Sequence, residues 1–243
     1  MNRLVGIVQA RMASDRLPGK VLRPAGGQTV LARVVRAARL SGALDDLVVA
    51  TTTEPEDDAV VEECERIGVS VHRGPSDDVL TRFVQTLDAH PAAAVARFTA
   101  DCPLLDPEIM AIAALCFHAV SDVDYLSTAI VRTLPRGLDV EIVSAVALYR
   151  AADVATGHHR AHVTSYIWSN PDQFRVLGLN VAPDCSDLRL TLDTQEDWAL
   201  LEAVVLAMGE DPPNLAKLVA WLDGHPELAS LNAGVAQKVL EAG

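Results

Sequence analysis

The stretch Leu4–Leu22 reads LVGIVQARMASDRLPGKVL. Its first residues, Leu4 to Val8, are a short apolar, β-branched run, the pattern of a strand buried in a sheet. The remainder is more polar and presents Arg11, Arg16 and Lys20 around Ser14, Pro18 and Gly19. In an open α/β sheet, ligands bind outside the carboxyl ends of the strands. Three cations on a loop held by Pro-Gly could surround a triphosphate, the arginines as bidentate donors and the lysine as a mobile point charge. The loop is not a Walker P-loop, because GxxxxGK[ST] is absent.

Outward from this stretch, strand-like runs recur at Leu47–Thr51, Val69–Arg73 and Val95–Thr99, each succeeded by a helical pattern. Thr29 is placed to cap a helix with apolar Val30, Leu31, Val34, Val35 and Ala38. Asp57–Ile67 and Asp77–Leu87 read as helices in the same way. This βαβ alternation predicts an α/β fold with a mostly parallel sheet flanked by helices. After about residue 120 the rhythm changes. Val123–Leu126, Val140–Val143, Phe174–Leu179 and Leu188–Leu192 read as strands with irregular or helical connections, and Glu196–Met208 and Leu215–Leu222 as closing helices.

The 243 residues suffice for one large domain, and half of them are hydrophobic. With 20 Lys and Arg against 33 Asp and Glu, the net charge of −13 argues against a nucleic-acid partner. Residues 1–40 nevertheless contain eight arginines and lysines and a single acid, Asp15. Arg33, Arg36 and Arg39, at helical spacing, read as a solvated basic face. Cys64, Cys102, Cys116 and Cys185 form no CxxC pair, which favours a reducing compartment. No secretory leader or apolar run of membrane-spanning length is evident, so the expectation is a cytoplasmic protein with no membrane partner.

At Gln9–Leu22 the sequence resembles the cytidylyltransferases that activate acidic sugars, most closely the spore coat polysaccharide protein F group, relatives of the CMP-sialic acid and CMP-Kdo synthetases. Further matching strings occur in order: ATTTEPEDD (Ala50–Asp58), RGPSDDVLTRF (Arg73–Phe83), RFTADCPLLDP (Arg97–Pro107), PRGLDVEI (Pro135–Ile142) and LRLTLDTQEDW (Leu188–Trp198). Six strings in register are far more specific than one.

The resemblance implies a glycosyltransferase-A-like (Rossmann-like) nucleotidyltransferase fold, CTP as substrate and a small anionic acceptor. Arg11 and Lys20 would lie on the triphosphate, and Asp101 and Asp193 would hold Mg²⁺. Gln9, Ala10, Ser14, Arg16, Thr51, Thr52, Arg73, Ser76 and Asp77 fall in strings that would surround the nucleotide. Arg136, Asp139, Glu141, His159, His162 and Arg189 are candidates for the acceptor. Residues 122–180 would form an inserted acceptor-binding and dimerisation region, giving a homodimer. Asp101 and Asp193 each end a strand-like run, and a hard cation that keeps its waters needs only one or two protein carboxylates.

Each candidate has a competing structural reading. Asp193 before Thr-Gln-Glu-Asp has the look of a helix N-cap. Asp57, Asp58, Asp77 and Asp78 could stabilise helix dipoles. Arg136, Asp139, Glu141 and Arg189 could pair with one another. His158 and His162 have the i,i+4 spacing of a zinc pair, but no third ligand is apparent. Cys102 reads as packing, not as a nucleophile. In HHRAHVTSYI, Ala161 and Ser165 stand where the related enzymes carry Glu and Pro, and Ala13 and Asp15 replace Gly and Thr in the first loop, which leaves the acceptor open. A glycosyltransferase of the same fold, or a nucleotide-binding protein without catalysis, would share this architecture. The first would usually carry a DxD motif that Asp101-Cys102-Pro103 lacks; the second would be expected to lose a phosphate or metal residue, and all four are present.

Overall fold

The computed structural model describes residues 3–237. In chain order the elements are β1 (Leu4–Gln9), β2 (Pro24–Ala25), β3 (Gln28–Thr29), α1 (Val30–Leu40), β4 (Asp46–Thr52), α2 (Asp58–Arg66), β5 (Ser70–Gly74), α3 (Val79–Ala89), β6 (Ala94–Thr99) and α4 (Pro107–Ala119). The second half adds β7 (Tyr125–Ser127), β8 (Glu141–Ser144), α5 (Ala145–Val154), α6 (His158–Ala161), α7 (Ser165–Ser169), β9 (Val176–Gly178), α8 (Gln195–Met208), α9 (Leu215–Asp223) and α10 (Pro226–Ala229).

Seven strands form one sheet in the order β5-β4-β1-β6-β8-β7-β9, and β2 with β3 makes a separate small ribbon. The first four sheet strands are mutually parallel, β8 runs antiparallel to both neighbours, and β9 is parallel to β7. Alternation along β1 explains why its run is continuously apolar: Leu4 and Val8 enter one core, Val5 and Ile7 the other. Residues of α1, α2, α4, α8 and α9 cover the first face, and those of α3, α5 and α7 the second. The chain runs outward from β1 to β4 and β5, then returns on the opposite face through α3 to β6. Strand order therefore reverses between β1 and β6, which opens a crevice at their carboxyl ends.

The expected cap of α1 forms, with Thr29 accepting from Ala32 N; Asp78 and Asp106 also cap α3 and α4, whereas Asp57 precedes α2 without a side-chain cap bond. Three expectations are revised. Leu188–Leu192 is extended but joins no strand, its pairing reduced to an isolated bridge between Arg136 and Arg189. Arg33 is buried, donating to the carbonyls of Ala25 and Gly209, so only Arg36 and Arg39 remain on the outer face of α1. The helix α6 is a single turn that stops at Ala161, so His162 follows it as a C-cap in non-helical conformation and the expected longer helix is absent. Among the described residues no group of three or more His, Cys, Asp or Glu is placed to hold a metal, and no helix is long and apolar enough to cross a membrane.

Candidate active site

Four backbone hydrogen bonds bring the distant motifs to the crevice. Ala100 N donates to Gln9 O at 3.0 Å, which sets the turn after β6 against the end of β1. Leu192 N donates to Asp101 O at 2.8 Å, so the residue after Leu192 must lie beside Asp101. Arg136 N donates to Leu188 O and Leu190 N to Arg136 O, at 2.9 and 2.7 Å. Gly137 makes this close approach feasible: its φ is +105°, and a Cβ there would stand 2.6 Å from the backbone of Leu190 and Thr191.

The cationic loop folds back on itself. Gly19, in left-handed conformation at φ 69°, donates to Met12 O at 2.9 Å and starts a single 3-10 turn, Lys20–Leu22. That turn aims Lys20 inward. Its Nζ donates to Asp101 Oδ2, Asp193 Oδ1 and Leu192 O, each at 2.7 Å. Burial disfavours the ammonium, but the attraction of Asp101 and Asp193 outweighs it and holds Lys20 above the ordinary lysine value. Three oxygens converging on one cation form a donor set that suits a hard divalent ion, so these residues fit Mg²⁺.

Asp193 carries more positive charge around it than Asp101 does. Its Oδ2 accepts from Arg16 and from Arg189, both at 2.9 Å. Burial alone would raise its pKa; Lys20, Arg16 and Arg189 together bring it below the usual carboxylate range. Asp193 is not the cap of α8. Thr194 is, in a reciprocal capping box with Asp197. The carboxylate of Asp197, fully buried, also accepts from Asp193 N at 2.8 Å and Asn232 Nδ2 at 2.8 Å, and pairs with Arg189 Nε at 2.8 Å. Asp197 and Asn232 escape sequence reasoning, although the Thr-x-x-Asp spacing of a capping box is visible in TQED.

The remaining nucleotide candidates surround the loop. Asp57, buried, accepts from Met12 N at 2.6 Å and from Thr52 N at 3.2 Å, tying the Arg11 loop to the end of β4. Arg73 supports that same end through Thr52 O and Glu54 O, both at 2.8 Å, and pairs with Asp58. Ser14 Oγ accepts from Leu17 N at 3.4 Å, and Ala10 N donates to Ala50 O. The hydroxyl of Thr51 is buried without a hydrogen-bond partner among the described residues. Ser76 and Asp77 lie at the rim before α3, with Asp77 exposed. Arg11 is exposed and makes no ion pair or side-chain hydrogen bond among the described residues. Beside it, burial and the like charge of Arg11 pull the enclosed Arg82 down to about 10.

The acceptor candidates separate into two groups. Glu141 is held by Arg97 at 2.5 Å, Tyr125 Oη at 2.8 Å and Thr164 Oγ1 at 2.5 Å, while Arg97 also donates to Gln9. Asp139 pairs with Arg132 at 2.5 and 3.1 Å, and Arg189 is enclosed with Asp193 and Asp197. These are structural pairings with partners that the sequence did not specify. Arg136, by contrast, has no ion pair or side-chain hydrogen bond among the described residues; burial and then Arg132 lower its pKa, against the opposite pull of Asp139 and Asp193. His159 contacts Ser165 Oγ at 2.8 Å, and burial lowers its pKa. His162 succeeds α6 as its C-cap, and Arg160 between the two histidines reaches Asp78 at the start of α3. Cys102 is half-buried against Thr99, and burial raises its thiol pKa, which does not suit a nucleophile.

A cytidylyltransferase family model matches residues 5–219. The chain belongs to the cytidylyltransferase family. It is 35% identical to the spore coat polysaccharide biosynthesis protein SpsF of Bacillus subtilis (strain 168), over 95% of this chain and 98% of that protein. Its fold superposes with a TM-score of 0.91 on a cytidylyltransferase from Leptospira borgpetersenii serovar Hardjo-bovis, at 27% identity and covering 98% of this chain and 99% of that one. The CMP:2-keto-3-deoxy-manno-octonic acid synthetase solved in complex with CTP shares the fold at a TM-score of 0.68 and 15% identity, covering 85% of this chain and all of that one. In this cytidylyltransferase-family chain, all six sequence strings reach the crevice or brace the loops that line it.

Proposed function

We propose that this chain transfers the CMP unit of CTP to a small acidic acceptor and releases pyrophosphate. The observation that carries the proposal is the meeting of Lys20, Asp101 and Asp193 at 2.7 Å contacts, with Arg16 beside them, at the carboxyl edge where the sheet reverses. An anionic oxygen of the acceptor, or a hydroxyl oxygen that gives up its proton to water, attacks the α-phosphorus, the bond from that phosphorus to the bridging oxygen of the β-phosphate breaks, and the electron pair leaves with pyrophosphate. Arg11, Arg16 and Lys20 neutralise charge that grows on the leaving group. Asp101 and Asp193 would hold Mg²⁺, which when bound would supply a Lewis acid for the phosphate oxygens. No side chain is required as a nucleophile, and catalysis is positioning and charge.

Arg136 is the acceptor cation favoured here, because it has no ion pair among the described residues and lies within electrostatic reach of Asp193. A keto acid sugar, a sugar or polyol phosphate and a phosphonate all present an anion to it, and the polysaccharide role of the Bacillus relative favours a sugar acid. Residues 122–180, which supply β7, β8 and β9, are the proposed subunit contact of a homodimer. The test is pyrophosphate release from CTP across a panel of such acceptors. Turnover with one acceptor class is expected; CTP with none, but a nucleotide-sugar consumed instead, would replace this reading with glycosyl transfer.

A further inference from the structure

We infer that Lys20 occupies the divalent-cation position between Asp101 and Asp193 and must withdraw from it, so that the metal ion enters this site on the nucleotide and not ahead of it. The inference rests on the proposed CTP chemistry and adds an order of events to it. An ammonium has three N–H donors, and all three are used at 2.7 Å, on Asp101 Oδ2, Asp193 Oδ1 and Leu192 O. While those bonds stand, Lys20 has no donor left for a phosphate, and a second cation would meet the ammonium between the two carboxylates. The backbone of Lys20 is fixed by the 3-10 turn behind Gly19, so the movable part is its four-carbon stem.

Charge accounting points the same way. Asp101, Asp193 and Asp197 face Lys20, Arg16 and Arg189, three acids against three bases. A divalent ion arriving alone adds two positive charges to a cluster already neutral. One arriving on a triphosphate brings an excess of negative charge, for which the unpaired Arg11 and Arg136 stand ready, and gives the displaced ammonium a new partner. Lys20 thus guards the acids against metal alone and passes to the phosphates when both arrive.

The experiment measures Mn²⁺ binding to the whole chain by the EPR signal of the free ion, with and without the non-reacting analogue α,β-methylene-CTP. Wild type should bind Mn²⁺ weakly alone and much more tightly with the analogue. Lys20→Met should bind Mn²⁺ alone about tenfold tighter or more, as expected for removing a unit charge at this range in a partly screened site. Lys20→Arg, which keeps the charge, should not show the gain, and Asp193→Asn added to Lys20→Met should abolish it. Equal Mn²⁺ affinity in wild type and Lys20→Met overturns the inference, as does wild-type binding that the nucleotide does not improve. CTP-dependent pyrophosphate release by the same wild-type preparation reports separately on the proposed function. Turnover with no tightening in Lys20→Met would remove the ordering and leave the chemistry in place.

Discussion

Thr194 and Asp197 cap α8 reciprocally: Asp197 N donates to Thr194 Oγ1 at 3.3 Å, and Thr194 N donates to the Asp197 carboxylate at 3.0 Å. Asp193, one residue earlier, is thereby free of the helix and turned toward Lys20. The two neighbours should separate cleanly on mutation. Thr194→Ala should lower stability by about 1 kcal/mol, the usual effect of a lost cap, with turnover little changed. Asp193→Asn should stay folded, with some stability lost because Lys20, Arg16 and Arg189 give up a counter-charge, and lose activity roughly a hundred- to a thousandfold, as expected for a lost electrostatic group at a reacting phosphate. Activity and calorimetry on the pair decide it; a silent Asp193→Asn would contradict its role.

Asp197 predicts an acid dependence. Burial would raise its pKa, but Arg189, Asn232 and the backbone of Asp193 outweigh that and depress it in the fold. A depressed carboxylate contributes stability that is fully present above its unfolded value, about 3.9, and is lost as pH falls through the folded value. Wild type should therefore lose stability as pH drops below about 4, partly through this group. Asp197→Asn should be less stable at pH 7 by about 3 kcal/mol, because Arg189 loses the fully buried one of its two carboxylate partners and keeps only Asp193, and should show a shallower acid slope. Urea titrations at a series of pH values compare the two slopes.

Gly137 gives a steric prediction. Gly137→Ala meets backbone at 2.6 Å in a left-handed conformation, whereas Gly27→Ala, at φ +80°, has nothing within 4 Å. The first should lose well over 1 kcal/mol and, by displacing Leu190–Thr191 ahead of Asp193, reduce turnover as well; the second should lose only about 1 kcal/mol of stability. Thermal melts of the two variants test the contrast, and equal losses would show that the Pro135–Ile142 string does not brace Asp193.

The parallel half of the fold was legible because β1, β4 and β6 are buried along almost their whole length and so read as apolar runs, while the edge strand β5, only partly buried, showed through β-branched Val69, just before it, and Val71. Lys20, Asp101 and Asp193 were legible only together with the family resemblance, since an isolated Asp before Thr-Gln-Glu-Asp is indistinguishable from a cap until the hydrogen bonds are seen. Leu188–Leu192 misled because an extended apolar run looks the same whether it pairs in a ladder or, as here, bonds to Arg136 and Asp101 by single contacts. Arg33 misled because helical spacing reports which residues share a face, and an arginine can bury that face by donating to carbonyls from Ala25 and Gly209, one of them 176 residues away. Long-range partners such as Arg97 for Glu141 are set by β6 and β8 register, which no local pattern encodes.

Base selectivity should appear as ligand-induced stabilisation, since a ligand that binds only the native state raises stability by mass action. With Mg²⁺ present, CTP should raise the melting temperature more than ATP, GTP or UTP at equal concentration, and Arg11→Ala should shrink the shift because it removes an unpaired cation from the crevice. Equal shifts with all four nucleotides would refute cytosine recognition.

The most direct measurement of the central claim is the product itself: mass spectrometry of CTP incubated with Mg²⁺ and the acceptor panel, with pyrophosphate quantified alongside. The account predicts a CMP–acceptor conjugate formed in equal amount to pyrophosphate by wild type, and nearly none of either from Asp101→Asn or Asp193→Asn at matched fold stability. Conjugate formation unchanged in both variants, or pyrophosphate released from CTP with no conjugate for any acceptor, would contradict it.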